Sequence, residues 1–220
     1  MGETLDRLEG ELMGQTTFIW DFDGTLVESY EAIHQVLTLL YKAYDLPLDK
    51  EFVFDFIIKE SVGSLLRKLA AEHDLPFEEL LRFFNREQEA LDNMIYLMPH
   101  AKEALQLTKE KGIQHFIYTH KGATTEAVLA RLGIDHFFTE VITSANGFAR
   151  KPHPEGVDYL MTKYGLDKAQ TYYIGDRKLD VEVAENSCIQ SINLHQPSSA
   201  INRKIDDLSD LVDLVTDGIL

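Results

Sequence analysis

The hydrophobic pattern changes period twice along the chain. Residues 16–22 (TTFIWDF) form a β-branched and aromatic run that predicts a buried strand. Asp23-Gly24-Thr25 breaks it, and Gly24 suits a tight turn. From residue 28 to residue 95 the period becomes helical. Ile33, Val36, Leu37 and Leu40 recur at helical spacing, followed by Phe52, Phe56 and Ile57, then Leu65, Leu66 and Leu69, then Leu80, Leu81, Phe83 and Phe84. Pro47 ends the first helix and Asp74 marks a later boundary. This stretch carries no convincing strand and predicts an all-helical block of about four helices.

After Pro99 helices and strands alternate. Helices are expected over 99–111, 124–132, 154–164, 179–186 and 207–215; Gly112, Gly133 and Gly165 stop the first three. Strands are expected over 113–119, 138–143, 171–174 and 188–194. Such alternation implies right-handed βαβ units. The fold class is α/β: a Rossmann-like, doubly wound parallel sheet core with an inserted all-helical domain. The expected division is a polar leader over 1–14 (Leu5, Leu8 and Leu12 on one face), a core over 15–27 and 96–220, and the insert over 28–95. Ligands of open α/β sheets sit outside the carboxyl ends of the strands. The insert leaves from that edge, placed to act as a lid.

Composition narrows the function. The 220 residues carry a formal charge of −16, which argues against a nucleic-acid partner over most of the surface. No stretch approaches the roughly 18 apolar residues of a membrane span. The N-terminus has neither a secretory signal nor, with Asp6 in the sixth place, a myristoylation pattern. The lone Cys188 excludes an internal disulfide, fits a reducing compartment, and is expected to pack on the sheet. The cytoplasm is the expected location.

The chemistry gathers at strand ends. The first strand ends in Asp21-Phe22-Asp23-Gly24-Thr25 and the second in Thr119-His120-Lys121-Gly122. Arg150-Lys151-Pro152 follows the third, and the fourth ends in Gly175-Asp176, with Asp180 a turn further on. Parallel strands bring these ends together. Two like charges 4 Å apart cost about 4 kcal/mol at an effective dielectric near 20, so the carboxylates need protons or a cation. Oxygen-only ligands point to Mg²⁺, with Asp21, Asp23 (through the backbone carbonyl nearby) and Asp176 as ligands. The set suits phosphoryl transfer. One carboxylate attacks, a second two residues on handles the leaving-group proton, the Thr119 hydroxyl binds phosphoryl oxygens, and Lys151 offsets their charge.

An Asp-x-Asp alone is commonplace in exposed turns; here it follows a buried strand, with three partner motifs in order. Together they resemble the haloacid dehalogenase-like superfamily: Asp21-Phe22-Asp23-Gly24-Thr25-Leu26 its first motif, Thr119 its second, Lys151 its third, Gly175-Asp176 with Asp180 its fourth. The insert resembles the helical cap of the phosphoglycolate phosphatase-like and β-phosphoglucomutase-like branch. The resemblance implies a Mg²⁺-dependent phosphohydrolase acting on a small phosphorylated metabolite through an aspartyl-phosphate. It makes Asp21 the nucleophile, Asp23 the general acid/base, Thr119 and Lys151 the phosphoryl holders, Asp176 a metal ligand, and Asp180 a support for the metal site or Lys151. The second motif departs from relatives, which often carry Asn where His120 stands. Gly24, Thr25, His120 and Lys121 are candidate substrate contacts in the core. Lys59, Ser61, Ser64 and Arg67 are candidates where capped relatives have a specificity loop; an ordinary helix–helix turn is the alternative there. A phosphosugar mutase, a phosphonate hydrolase using Lys59 as a Schiff base, and a catalytically silent binding module remain open, as does monomer against homodimer.

Overall fold

The computed structural model describes residues 15–122 and 124–220; the leader falls outside the described residues. Six parallel strands form one sheet in the order β5-β4-β1-β6-β7-β8. They are β1 (Thr17–Trp20), β4 (Gln114–Tyr118), β5 (Glu140–Ile142), β6 (Thr171–Gly175), β7 (Gln190–Asn193) and β8 (Asn202–Lys204). β1 lies at the centre, with β4 on one side and β6 on the other, so the strand order reverses there. That reversal is where a doubly wound sheet opens a crevice.

Buried β1 sends side chains to both layers. Phe18 and Trp20 face a cluster with Ala104 and Leu105 of α5 (Ala101–Glu110), Val128 and Leu129 of α6 (Thr125–Leu132), and Leu211 of α9 (Asp210–Thr216). Ile19 faces Val157 and Leu160 of α7 (Glu155–Tyr164) and Val183 and Ala184 of α8 (Lys178–Asn186). A strand buried on both faces reads as a continuous apolar run, as TFIW does.

The insert folds as four helices: α1 (Tyr30–Ala43), α2 (Lys50–Lys59), α3 (Val62–His73) and α4 (Phe77–Leu91). Its own apolar cluster, including Val36, Leu37, Leu40, Leu65, Leu66, Leu80 and Phe84, is separate from the two sheet clusters. α2 and α3 start where Asp49 and Ser61 accept backbone N–H groups from Phe52 and Ser64. At the root of the insert, β2 (Val27–Glu28) and β3 (Tyr96–Leu97) pair antiparallel and tie the two connecting segments together.

Two expectations need correction, and two elements had none. The first strand stops at Trp20, not at residue 22, because the Phe22 carbonyl collects the N–H groups of Leu26 (3.0 Å) and Val27 (3.1 Å) and turns the chain. Cys188 is exposed, with φ 58°, in the turn before β7; it does not pack on the sheet. β8 and the β2–β3 ribbon have no counterpart in the hydrophobic pattern. β8 is the polar edge segment Asn202-Arg203-Lys204, held by its ladder with β7 and by Asn202 Nδ2 donating to Gln196 O (3.2 Å) and Pro197 O (2.9 Å). No helix among the described residues is long and apolar enough to cross a membrane.

One buried histidine links the fold to pH. His115 of β4 accepts a hydrogen bond from Trp20 Nε1 at its Nδ1 (3.0 Å), which fixes the neutral ring. Burial, with Lys109 adding repulsion, holds it down at about 3. The unfolded chain takes up that proton near the ordinary 6.5. The unfolded state therefore binds the extra proton between the two values, and stability falls as pH drops through that window. Urea unfolding across it is expected to show this loss, and His115→Gln to flatten the slope.

Candidate active site

The sheet ladder continues past the strand ends and sets the first two site residues. Asp21 N donates to Ile174 O (2.8 Å), and Thr119 N donates to Ile142 O (2.9 Å). Asp21, Asp176 and Asp180 are buried, with carboxylate oxygens within 4.8 Å of one another. Asp23 stands outside that trio and lines the cavity above it.

Lys151 is the cation of the cluster. Its Nζ donates to Asp180 Oδ1 (2.7 Å) and to the Tyr173 hydroxyl (2.9 Å), and lies 2.9 Å from Asp21 Oδ1. An ammonium has three donors, and all three have partners here. Asp180 is equally committed: its Oδ2 accepts from the backbone N–H of Asp176 (3.3 Å) and Arg177 (3.0 Å), at the start of α8. It acts as a clamp between that helix and Lys151. Asp176 accepts from Thr25 Oγ1 (3.2 Å) and from the Tyr30 hydroxyl (3.0 Å).

Close packing explains two glycines. Gly24 has φ +81°, and a Cβ there would lie 2.5 Å from Asp176 Oδ2 and 2.6 Å from the Tyr30 ring. A Cβ on Gly175 would collide with the Asp180 carboxylate. Both allow the acids to close on one another.

The cluster is short of positive charge. Burial raises Asp21 above the usual carboxylate range; Lys151 pulls the other way. Burial, then repulsion from Asp180 and Asp21, pushes Asp176 up to about 7. Asp21 Oδ2 and Asp23 Oδ1 are buried without a hydrogen-bond partner. Unpartnered carboxylate oxygens, all-oxygen donors and raised acids together fit a divalent cation. Asp21 and Asp176 would hold it.

The other residues singled out from sequence divide. His120, Lys121 and Ser61 line a cavity of about 350 Å³ between sheet core and insert. His120 Nε2 accepts from Lys151 N (2.8 Å), so Nδ1 carries its proton, and burial plus the charges of Lys151, Arg150 and Arg177 keep the ring neutral. Lys121 Nζ, although on the wall, is bound to Asp92 Oδ1 (2.7 Å). Thr119 is buried and accepts from Lys121 N (3.1 Å). Thr25 is buried, its hydroxyl spent on Asp176. Ser61 and Ser64 bond to each other (3.0 Å) across the start of α3. Lys59 is outside the cavity lining, exposed and 3.4 Å from Asp55. Arg67 is also outside the cavity lining and lies over the Phe77 ring (5.1 Å).

Sequence reasoning missed Tyr30, Tyr173, Arg150 and Arg177. Arg177 Nη2 is 3.5 Å from Asp21 Oδ2. Burial works against its charge, but Asp21 and Asp180 outweigh burial and hold it well above the usual range. Its place inside Gly175-Asp176-Arg177 could have flagged it. Tyr30 gave no signal, because only the packing of α1 brings it to Asp176.

The family model described as Haloacid dehalogenase-like hydrolase matches residues 18–194. The chain belongs to the haloacid dehalogenase-like hydrolase family. A phosphoglycolate phosphatase of Haemophilus influenzae is 30% identical over 178 residues, covering 74% of this chain and 77% of the relative. Pyrophosphatase PpaX of Oceanobacillus iheyensis is 24% identical over 215 residues, covering 94% and 99%. Among solved structures, a haloacid dehalogenase superfamily hydrolase from Geobacter sulfurreducens aligns with a TM-score of 0.72 at 21% identity, covering 92% of this chain and 97% of that one, a likeness of fold. The expected enzyme class, a haloacid dehalogenase-like phosphatase, agrees with the family match and with two relatives named as phosphatases.

In this haloacid dehalogenase-like hydrolase, Lys151 is the counter-charge the buried acids depend on. Lys151→Met is expected to destabilise the fold by roughly 3–5 kcal/mol near neutral pH. The loss is expected to shrink as the pH is lowered and Asp21 takes up a proton; denaturant titration of both proteins across pH checks this.

Proposed function

We propose that the chain is a Mg²⁺-dependent phosphatase that cleaves a small phosphorylated metabolite through an aspartyl-phosphate on Asp21. The observation that carries this reading is the Asp21 carboxylate: one oxygen is held by Lys151, while the other is buried, accepts no hydrogen bond and has only the Arg177 guanidinium nearby, at 3.5 Å. An acid fixed at one oxygen and free of hydrogen bonds at the other is a preorganised nucleophile.

Each residue then has a task. Asp21 Oδ2 attacks phosphorus, and the bond to the leaving oxygen breaks. Asp23, on the cavity wall, protonates that oxygen and then takes the proton of the water that opens the acyl phosphate. Thr119 offers a hydroxyl to the phosphoryl oxygens. Lys151 acts on Asp21 directly and is itself oriented by Asp180 and Tyr173. When bound, Mg²⁺ at Asp21 and Asp176 supplies charge neutralisation for the phosphoryl oxygens. Thr25 and Tyr30 aim Asp176 toward that role. The helical insert covers the cavity and keeps out bulk water. Relatives named as phosphoglycolate phosphatase and pyrophosphatase support hydrolysis of small phosphorylated compounds. The cytoplasm is the compartment this reading implies.

Phosphate release from p-nitrophenyl phosphate with Mg²⁺ is the primary test. Asp21→Asn is expected to abolish release with its unfolding midpoint retained; full activity in that variant excludes the covalent route. Asp23→Asn is expected to slow turnover by about 10²–10⁴-fold.

Metal affinity is expected to depend on pH. With Asp176 raised to about 7, the ion must displace a proton below that value. Calorimetric Mg²⁺ titrations are expected to give weaker binding as pH falls below about 7, with proton release that changes the heat between buffers. Affinity constant across this range counts against Asp176 as a ligand.

A further inference from the structure

The wall of the cavity is cationic although the chain carries −16. Its charged lining residues are Lys121, Arg150, Arg177 and one acid, Asp23. Two of the cations are answered: Lys121 by Asp92 at 2.7 Å, and Arg177 by Asp21 at 3.5 Å. Arg150 has neither an ion pair nor a side-chain hydrogen bond among the described residues. Burial, then the like charges of Arg67 and Arg177, pull its pKa down, against an opposing pull from Tyr118.

The backbone around Arg150 is pinned. Ala149 N donates to Glu155 Oε2 (2.6 Å), and Ala149 O accepts from the Tyr118 hydroxyl (2.9 Å). Arg150 O accepts from His153 N (3.0 Å), and Lys151 N donates to His120 Nε2 (2.8 Å). Adjacent side chains therefore diverge: Lys151 goes into the buried acid cluster, and Arg150 to the cavity wall. Arg67 belongs to the insert and is not itself in the cavity lining. It stands on α3, one turn after cavity-lining Gly63, and its Nη1 would lie 3.7 Å from a Cβ on that glycine. Phe77 holds its guanidinium in place. Arg150 on the cavity wall and Arg67 beside cavity-lining Gly63 carry like charges, and neither has an anion paired to it among the described residues, an arrangement that suits a bound anion.

Building on the phosphatase reading, we propose that Arg150 and Arg67 form a subsite for a second negative group of the substrate. The substrate is then a small phosphate compound bearing a carboxylate or another phosphate a few bonds from the scissile P–O bond. The transferred phosphoryl group is served at Asp21 by other residues, so this subsite reads the leaving group. Because its halves belong to core and insert, binding also draws the two together over the site.

The test compares ligands that differ in the second charge. With Mg²⁺, kcat/KM is measured for 2-phosphoglycolate, pyrophosphate and ethyl phosphate on wild type, Arg150→Ala, Arg150→Lys and Arg67→Ala. Wild type is expected to favour one of the doubly anionic compounds over ethyl phosphate. Arg150→Ala is expected to cut that preference by about tenfold or more, through KM, with partial recovery in Arg150→Lys. The compound that loses more identifies the second group as carboxylate or phosphate. A preference that survives in Arg150→Ala, or an equal loss on all three compounds, overturns the subsite. The same substitutions are made in Asp21→Asn and titrated by calorimetry with pyrophosphate, 2-phosphoglycolate and inorganic phosphate. Selective weakening of the first two supports the subsite, and uniform or absent weakening overturns it. If wild type releases phosphate from no compound, the phosphatase reading fails, while the calorimetry still decides whether the anion subsite exists.

Discussion

The ammonium group of Lys151 is buried between Asp21 and Asp180, with the Tyr173 hydroxyl as its third partner. Few arrangements are as costly to assemble: removing charges from water is repaid only when every donor and acceptor is matched. Here the matching is shared among distant parts of the chain. Asp180 is gripped by the start of α8, Tyr173 by the Tyr118 carbonyl, and Asp21 by the extended ladder of β1 with β6. These residues are therefore part of the fold's internal cohesion.

The match is incomplete on one side only. Asp21 Oδ2 and Asp23 Oδ1 accept no hydrogen bond, and burial with repulsion from Asp180 and Asp21 raises Asp176. A fully satisfied cluster would be inert. A site held rigid by Lys151 and left deficient toward the cavity is preorganised for a ligand that brings the missing charges. The insert completes the enclosure, since the cavity wall mixes insert residues such as Ile33, Val62 and Phe84 with core residues His120, Arg150 and Arg177.

Much of this architecture was readable along the chain. Short β-branched and aromatic runs marked the central strands, and period-3.6 patterning marked the helical insert and the glycine-terminated helices, because burial on both faces of a strand gives a continuous run and burial of one face of a helix gives a repeat. Where burial imposed none, the pattern was silent. β8 is polar and exists through pairing with β7; the β2–β3 ribbon is two residues long on each side. Cys188 looked apolar in context but occupies a left-handed turn, a backbone fact that side-chain hydrophobicity does not encode.

The same division holds at the site. Residue type, order and strand-end placement singled out Asp21, Lys151, Asp176 and Asp180, and the structure brings these four together because parallel strands deliver their carboxyl ends to one edge. Which oxygen meets which donor was decided only in three dimensions. Lys151 spends its donors on acids and a tyrosine, Thr25 on Asp176, and Lys121 on Asp92. Tyr30 and Arg150 enter because helix packing and loop anchoring aim them there. A sequence fixes the local repeat and the inventory of charges; the direction of a side chain depends on distant neighbours whose distances no linear pattern contains.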